Sequence, residues 1–527
     1  MLLLLSIISD RSARGAEWQW SVPDGQARVF LWIPPKCDRM RGVVVANHNM
    51  IEQGILEHPV MRQTLAELNL GEVWVVPRLE LEFDFNKGSG EHFQRVMDAL
   101  ADESGYDELK SVPVVPLGHS ACATFPWNFA AWNPGRTLCV ISVKGDAPQT
   151  NLTGYGRANV PWGDRTIDGV PGLMVMGEYE WGEARLAPAL VFAEKHPAVP
   201  LSFLGDAGHG HFDYSDELVT FLATFIRKSA QQRLAPDGSL KPIDTRSGWR
   251  IDRWRRDQPP AAPAAPYSEY AGVARESFWC FGEEQALATE HHYAAARGEL
   301  PQLLGFVGGD RTCAGEPAEL PFTPSEDGVS FRLNATFLDS VSGNGGNPAR
   351  WAGLPNGTPL GHATGGGAIR LSTIVGPIAR VAGDVFTLRF NRAQSTGDGR
   401  NNDMWLLASH PGDDKYKSAV QQLLIRARPN SDGIAQTITF PPIPDQPVDV
   451  KSLKLAATSD AGLPVHYYVR EGPAEVDGDT LEFTPIPPRA KLPIRVTVVA
   501  WQWGRSVDPK VRTAPTVERS FTVGSAR

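Results

Sequence analysis

"VVPLGHSACATF", residues Val114 to Phe125, decides how the first part of this chain is read. An apolar run ends at Gly118-His119-Ser120-Ala121 and passes into an Ala- and Phe-containing helix start. A serine on a sharp strand-to-helix turn holds its hydroxyl outward, and small residues must flank it because the two backbones approach closely there. Gly118 meets that need before Ser120 and Ala121 after it, while Cys122 stands where the Gly-x-Ser-x-Gly pattern has its second glycine. Five-residue matches of this kind arise by chance in many chains, so the surroundings carry the weight.

Working outward, short runs rich in valine, leucine and aromatics recur between Trp18 and Arg233: "ARVFLWIPP", "GVVVANH", "EVWVVPR", "VPVVPLG", "TLCVISVKG", "GLMVMGE" and "VPLSFLGD". Each is bounded by glycine, proline or charge, as buried strands are. Between them lie "HPVMRQTLAELN", "SGEHFQRVMDALADES", "EARLAPALVFAEKH" and "SDELVTFLATFIRKSAQQRL", with apolar residues near helical spacing. This alternation predicts an α/β domain over residues 17–235, a mostly parallel sheet with helices on both faces. Counted from "WQWSV", Ser120 follows the fifth strand.

A serine hydroxyl is a weak nucleophile and needs a base, an orienting acid and oxyanion donors. Two strands after Ser120, "GLMVMGEYEWGE" ends in a cluster of acids, and the following strand runs into "AGHGHFDYSDELV". With these in order, the stretch from Trp18 to Arg233 resembles the α/β-hydrolase superfamily, in which serine, acid and histidine follow the fifth, seventh and eighth strands. The resemblance implies Glu180 as the acid, three residues after Gly177, with Glu178 the alternative. It implies His211 as the base, with His209 the alternative. Both family phrases, Gly-His-x-Phe and Gly-His-Phe, fit His209-Gly210-His211-Phe212, and His211 is preferred because Gly208 and Gly210 supply the turn. Ser215 is the expected cap of the next helix, with Asp216 and Glu217 suited to its first turn.

The same resemblance places the oxyanion donors at the amide of Ala121 and in the loop after the third strand, "ANHNMIEQGILEHP", at Asn49 or Met50. Asn47, His48 and Glu52 are polar enough to contact substrate, and His119 and Trp181 join His48 as expected substrate contacts. Tyr155 and Trp162, with Trp127 and Trp132, offer aromatic surface suited to a sugar ring, a feruloyl group or a polyester. The expected chemistry is that of a carboxylic ester hydrolase acting through an acyl-enzyme on a small or polymeric ester, including polysaccharide-linked acyl groups. A serine peptidase of the same fold and an inactive surface-binding protein are the alternatives.

Beyond Arg233 the pattern changes. A Pro/Ala-rich crossing, "DQPPAAPAAPYSEYAG", leads into Gly- and Thr-rich sequence with strand candidates "VSFRLNATFLD", "GAIRLSTIVG" and "VFTLRFNR" and one helical stretch, "GEEQALATEHHYAAARGEL". Residues 236–431 are expected to form a β-rich accessory domain of unassigned role. Its Gly-rich loop "WAGLPNGTPLGHATGGG", with Trp351 and His362, has no phosphate-loop spacing. From residue 432 onward strands of five to eight residues recur with turn signals such as Asp477-Gly478, which predicts a small β-sandwich. The phrases Gln436 to Phe440 ("QTITF") and Gly462 to Tyr467 ("GLPVHY") resemble bacterial immunoglobulin-like modules.

At 527 residues the chain is expected to hold two to four domains. A net charge of −9 with dispersed Lys and Arg gives no basic stripe for nucleic acid. Residues 1–16, "MLLLLSIISDRSARGA", resemble the end of a secretory signal without its charged lead, so export to the periplasm or medium is expected. No other segment approaches the ~20 apolar residues of a membrane span. Five cysteines without CxxC spacing, and no other metal-ligand spacing, indicate neither zinc nor a redox pair, and no cofactor is expected.

Overall fold

The computed structural model describes residues 17–295, 297–342, 351–393 and 402–524; the stretch read as an export signal lies outside them. Eight strands form one sheet: β1 (Trp20–Asp24), β2 (Ala27–Trp32), β3 (Gly42–Asn47), β4 (Leu70–Val76), β5 (Val114–His119), β6 (Val140–Val143), β7 (Gly172–Gly177) and β8 (Leu201–Asp206). Their order is β1-β2-β4-β3-β5-β6-β7-β8. From β3 to β8 every pairing is parallel, and β2 alone runs against its neighbours.

Strands β3 to β8 are buried along their whole length, because helices cover both faces. Six helices do this: α1 (Glu52–Leu56), α2 (Pro59–Leu68), α3 (Ser89–Ser104), α4 (Phe125–Trp132), α5 (Glu183–Lys195) and α6 (Asp216–Arg233). Side chains alternate across the sheet. Val43, Val45, Met174 and Met176 join one core with Met97 of α3, Phe129 of α4 and Leu186 of α5. Val44, Ala46, Leu173 and Val175 join the other with Leu65 of α2 and Leu222 of α6. As expected, Ser215 caps α6, its hydroxyl accepting from Leu218 N at 3.1 Å.

The packing does not break at residue 235. Strands Trp249–Asp252 and Ser277–Cys280 and a seventh helix, α7 (Glu283–Ala294), lie against the β8 edge, and Ile251, Phe278 and Tyr293 are part of the first core. Tyr293 Oη donates to the carbonyl of Phe203 in β8 at 2.9 Å. Farther on, strands between Leu304 and Arg426 pack around Phe306, Phe386 and Leu423, in a core they share with Trp501 and Trp503 of the C-terminal part. Trp351, Leu407 and Val420 from the same region instead extend the second core of the α/β part. The region expected as one accessory domain is therefore two pieces, both seated on the sheet domain.

From Ile438 to Val523 the chain forms small antiparallel sheets, two of them three-stranded, around a core that includes Phe440, Val476, Leu481, Val498 and Phe521. This part is tied back to the chain start: Gly472 N donates to Trp18 O at 3.0 Å, and Arg28 pairs with Glu471 at 3.4 Å. All five cysteines are free thiols, four of them buried. Among the described residues no helix is long and apolar enough to cross a membrane, and no cluster of side chains has a metal-binding arrangement.

Candidate active site

Ser120 sits at the end of β5 with φ of +53°, a left-handed conformation that costs a non-glycine residue about 1–2 kcal/mol. The turn is tight: a Cβ on Gly118 would lie 2.0 Å from the carbonyl oxygen of Cys122. Position 122 has no such restriction. Its side chain is buried beside Leu81 and Ala121, so cysteine fits where the motif has glycine.

His211, on the loop after β8, places Nε2 2.6 Å from Ser120 Oγ. Its Nδ1 lies 2.5 Å from Glu180 Oε2, on the turn after β7. The imidazole with its proton on Nδ1 thus accepts from the hydroxyl and donates to the carboxylate. Burial disfavours ionisation of Glu180, but Arg185 at 2.6 Å and His211 outweigh it and hold its carboxyl well below the usual range. Arg185, from α5, also donates to Gly145 O at 2.6 Å and lies near Asp146.

The two alternatives face elsewhere. Glu178 is buried, accepts from Gly208 N at 2.8 Å and pairs with Arg256 at 2.8 Å and Lys417 at 3.4 Å. His209 donates from Nδ1 to Asp213 Oδ2 at 2.5 Å. Its own burial opposes protonation, yet Asp206 and Asp213 raise its pKa to about 9. Lys144, wholly buried after β6, donates to Asp213 O at 2.7 Å and lies 3.3 Å from Asp206. An ionic knot of Lys144, Asp206, His209 and Asp213 therefore sits beside His211.

Of the expected oxyanion donors, Ala121 follows Ser120 directly and is buried. The loop after β3 differs from expectation: Asn49 N and Met50 N both donate to Glu52 Oε2, at 3.1 and 2.7 Å. Glu52, the first residue of α1, thus takes up both of the amides expected as donors. Glu52 also accepts from His119 N at 3.0 Å, is fully buried, and has its pKa raised to about 7 by burial despite these bonds. It is a structural clamp between the two loops, not a substrate contact. Asn47 is likewise buried and accepts from Leu79 N at 3.3 Å.

His119, expected to touch substrate, is wholly interior; its Nε2 donates to His211 O at 2.8 Å, and burial lowers its pKa well below the usual value. Trp181 is half-buried, its ring edge-on to Trp254 at 4.7 Å. The ring of His48 lies edge-on to Trp74 at 5.4 Å. Trp127 and Trp162 are core residues, the latter donating to Asn128 Oδ1. Tyr155 remains as open aromatic surface, 71% exposed, with Leu152 at 55%. They flank Thr153, whose hydroxyl donates to Ser120 O at 2.9 Å.

Arg185, Asp213, Lys144 and Gln422 were not singled out by the sequence. Arg185 is five residues from Glu180 with nothing but helix periodicity around it, and Gln422 is distant in the chain.

No protein-family model matches the chain, and no curated protein matches it. Among solved structures it is similar to the fluorophosphonate-binding serine hydrolase FphF of Staphylococcus aureus, at 11% identity and a TM-score of 0.30, over 40% of this chain and 96% of that one. It is similar to the S-formylglutathione hydrolase FrmB of the same organism at 9% identity and a TM-score of 0.30, over 40% and 96%. Est1E from Butyrivibrio proteoclasticus is similar at 12% identity and a TM-score of 0.27, over 40% and 97%. At these values the likenesses carry no weight in assigning an activity.

Proposed function

We propose that this chain is an exported serine hydrolase that cleaves carboxylic esters by a Ser120-His211-Glu180 triad. The observation that carries the reading is the pair of contacts on one imidazole, 2.6 Å to Ser120 Oγ and 2.5 Å to Glu180 Oε2, from loops after β5, β7 and β8. In the reaction, His211 Nε2 takes the hydroxyl proton as Ser120 Oγ attacks the ester carbonyl carbon. Charge gathers on the carbonyl oxygen beside the Ala121 amide. As the carbon–oxygen ester bond breaks, His211 returns the proton to the departing alkoxide. Water, deprotonated by the same nitrogen, then releases the acid and restores Ser120. Glu180, kept ionised by Arg185, stabilises the imidazolium at both stages.

The open Tyr155 and Leu152 next to Thr153 favour a substrate with an apolar or ring-bearing acyl or alcohol part, such as an acyl-decorated polysaccharide or a polyester. The immunoglobulin-like phrases near the C-terminus and the apolar start of the sequence support export. The test is turnover of chromogenic short-acyl esters and of peptide anilides by the full chain and by Ser120→Ala. Ester turnover that falls at least about a thousandfold in the variant is expected. Turnover of peptides alone would replace the esterase reading with a peptidase; unchanged activity in Ser120→Ala would remove Ser120 from the site.

A further inference from the structure

The loop carrying His211 is held from two sides. From within the sheet domain, His119 fixes the His211 carbonyl and Lys144 the Asp213 carbonyl. From outside, a hairpin of strands Asp403–His410 and Ala419–Arg426 lies against the same loop. Gln422, fully buried, donates from Nε2 to Asp213 Oδ1 at 2.7 Å. Asp213 Oδ1 also accepts from Gly210 N at 2.8 Å, so one oxygen joins the hairpin to the residue before His211. The neighbouring Gln421 serves its own domain instead, donating to Gly315 O at 2.6 Å.

The fit leaves no slack. A Cβ on Gly210 would lie 2.5 Å from Gln422 Nε2, and one on Gly208 would lie 2.1 Å from Ser418 Oγ. Trp405 packs on Phe212 at 4.9 Å between ring centres, and Phe212 stands edge-on to the His211 ring at 4.6 Å. Ser418 O accepts from Tyr179 Oη at 3.0 Å, next to Glu180. Both the base and the acid are therefore backed by this one hairpin.

We propose that the hairpin is a working part of the active site, with Gln422 as a positioning residue that sets His211 through Asp213 and Gly210; this rests on the reading of Ser120, His211 and Glu180 as a hydrolytic triad. A displaced base of about 1 Å lowers the rate of the chemical steps by up to ~100-fold while leaving substrate contacts in place. Gln422→Met keeps the side chain's length and removes its N–H donor.

The experiment measures kcat and KM for a chromogenic ester, and the rate of covalent labelling by a serine-directed fluorophosphonate, on the full chain. Variants are Gln422→Met and Trp405→Leu, with Arg426→Ala, on the same hairpin but paired with Glu319, as control. Gln422→Met is expected to lower kcat and the labelling rate at least about tenfold with KM within about threefold. Trp405→Leu should change both rates in the same direction, and Arg426→Ala should match wild type. Wild-type kcat and labelling rate in a folded Gln422→Met overturn the proposal. If that variant does not fold, a folded Trp405→Leu with wild-type rates overturns it equally. Loss of activity in strict proportion to loss of folded protein also overturns it. If wild type neither turns over esters nor is labelled, the triad reading itself fails, and this inference falls with it.

Discussion

Glu180 and Glu178, two residues apart on one turn, face opposite partners: Glu180 reaches His211 at 2.5 Å, whereas Glu178 pairs with Arg256 at 2.8 Å. Glu180→Gln is expected to lower kcat for ester turnover by about 100- to 10,000-fold with the fold intact. Glu178→Gln should leave most of kcat and lower the unfolding midpoint, since it uncouples Arg256 and Lys417. Steady-state kinetics with thermal unfolding on both variants distinguishes them, and the reverse pattern would reassign the acid.

In the proposed reaction, the acid side of the pH profile depends on Arg185, a residue outside the proposed triad. Burial alone would make Glu180 easy to protonate, and Arg185 is the largest influence against that. In Arg185→Met the carboxyl titrates at higher pH, so on acidification activity should be lost at a higher pH than in wild type. A kcat/KM profile followed down to the acid limit of the folded protein that superimposes on wild type would rule this out.

The left-handed turn at Ser120 trades stability for an accessible hydroxyl. Ser120→Gly removes the strain at φ +53° and should be inactive yet at least as stable as wild type in urea. Gly118→Ala, with a Cβ driven toward Cys122 O, should reduce folded yield sharply, whereas Cys122→Gly should retain activity. A well-folded, active Gly118→Ala would contradict the packing described.

His209 gives stability a pH dependence of definite sign. Its pKa is raised from 6.5 to about 9 in the folded chain, so its charge stabilises the fold below pH 6.5 and that contribution is lost as pH rises toward 9. Glu52, raised to about 7, adds a penalty that grows as pH climbs above the unfolded carboxyl value. Denaturant midpoints should fall between pH 6.5 and 9, and His209→Asn should flatten that fall. A slope unchanged in the variant would mean that His209 is not the titrating group.

Much of the sheet domain was legible because its cues are local. Apolar runs bounded by Gly and Pro marked β2 to β8, and the order serine, acid, histidine could be counted along them. The choice between Glu178 and Glu180, or His209 and His211, was not local, since it depends on Arg256, Arg185 and Asp213 in space. The loop after β3 was no more local: Glu52 reads as a polar residue able to contact substrate until its carboxylate is seen holding Asn49, Met50 and His119. Gln421 and Gln422 interrupt an apolar run and so hide a strand that is buried over seven of its eight residues. Trp351, conspicuous in a Gly-rich loop, turns out to stack on Tyr179 at 5.2 Å.

The Gln422–Asp213 contact also bears on how such a chain can be recombined. A domain can be exchanged freely when its border follows a linker, but here the border passes through a hydrogen bond two residues from His211. A chimera that joins residues 18–233 to a foreign C-terminal partner would keep Ser120, His211 and Glu180 in sequence while removing the outer wall of their loop. Substitutions at Gly208, Gly210 and Asp213 are thereby tied to those at Ser418 and Gln422, so the sheet domain and the hairpin must be inherited, or engineered, as one unit.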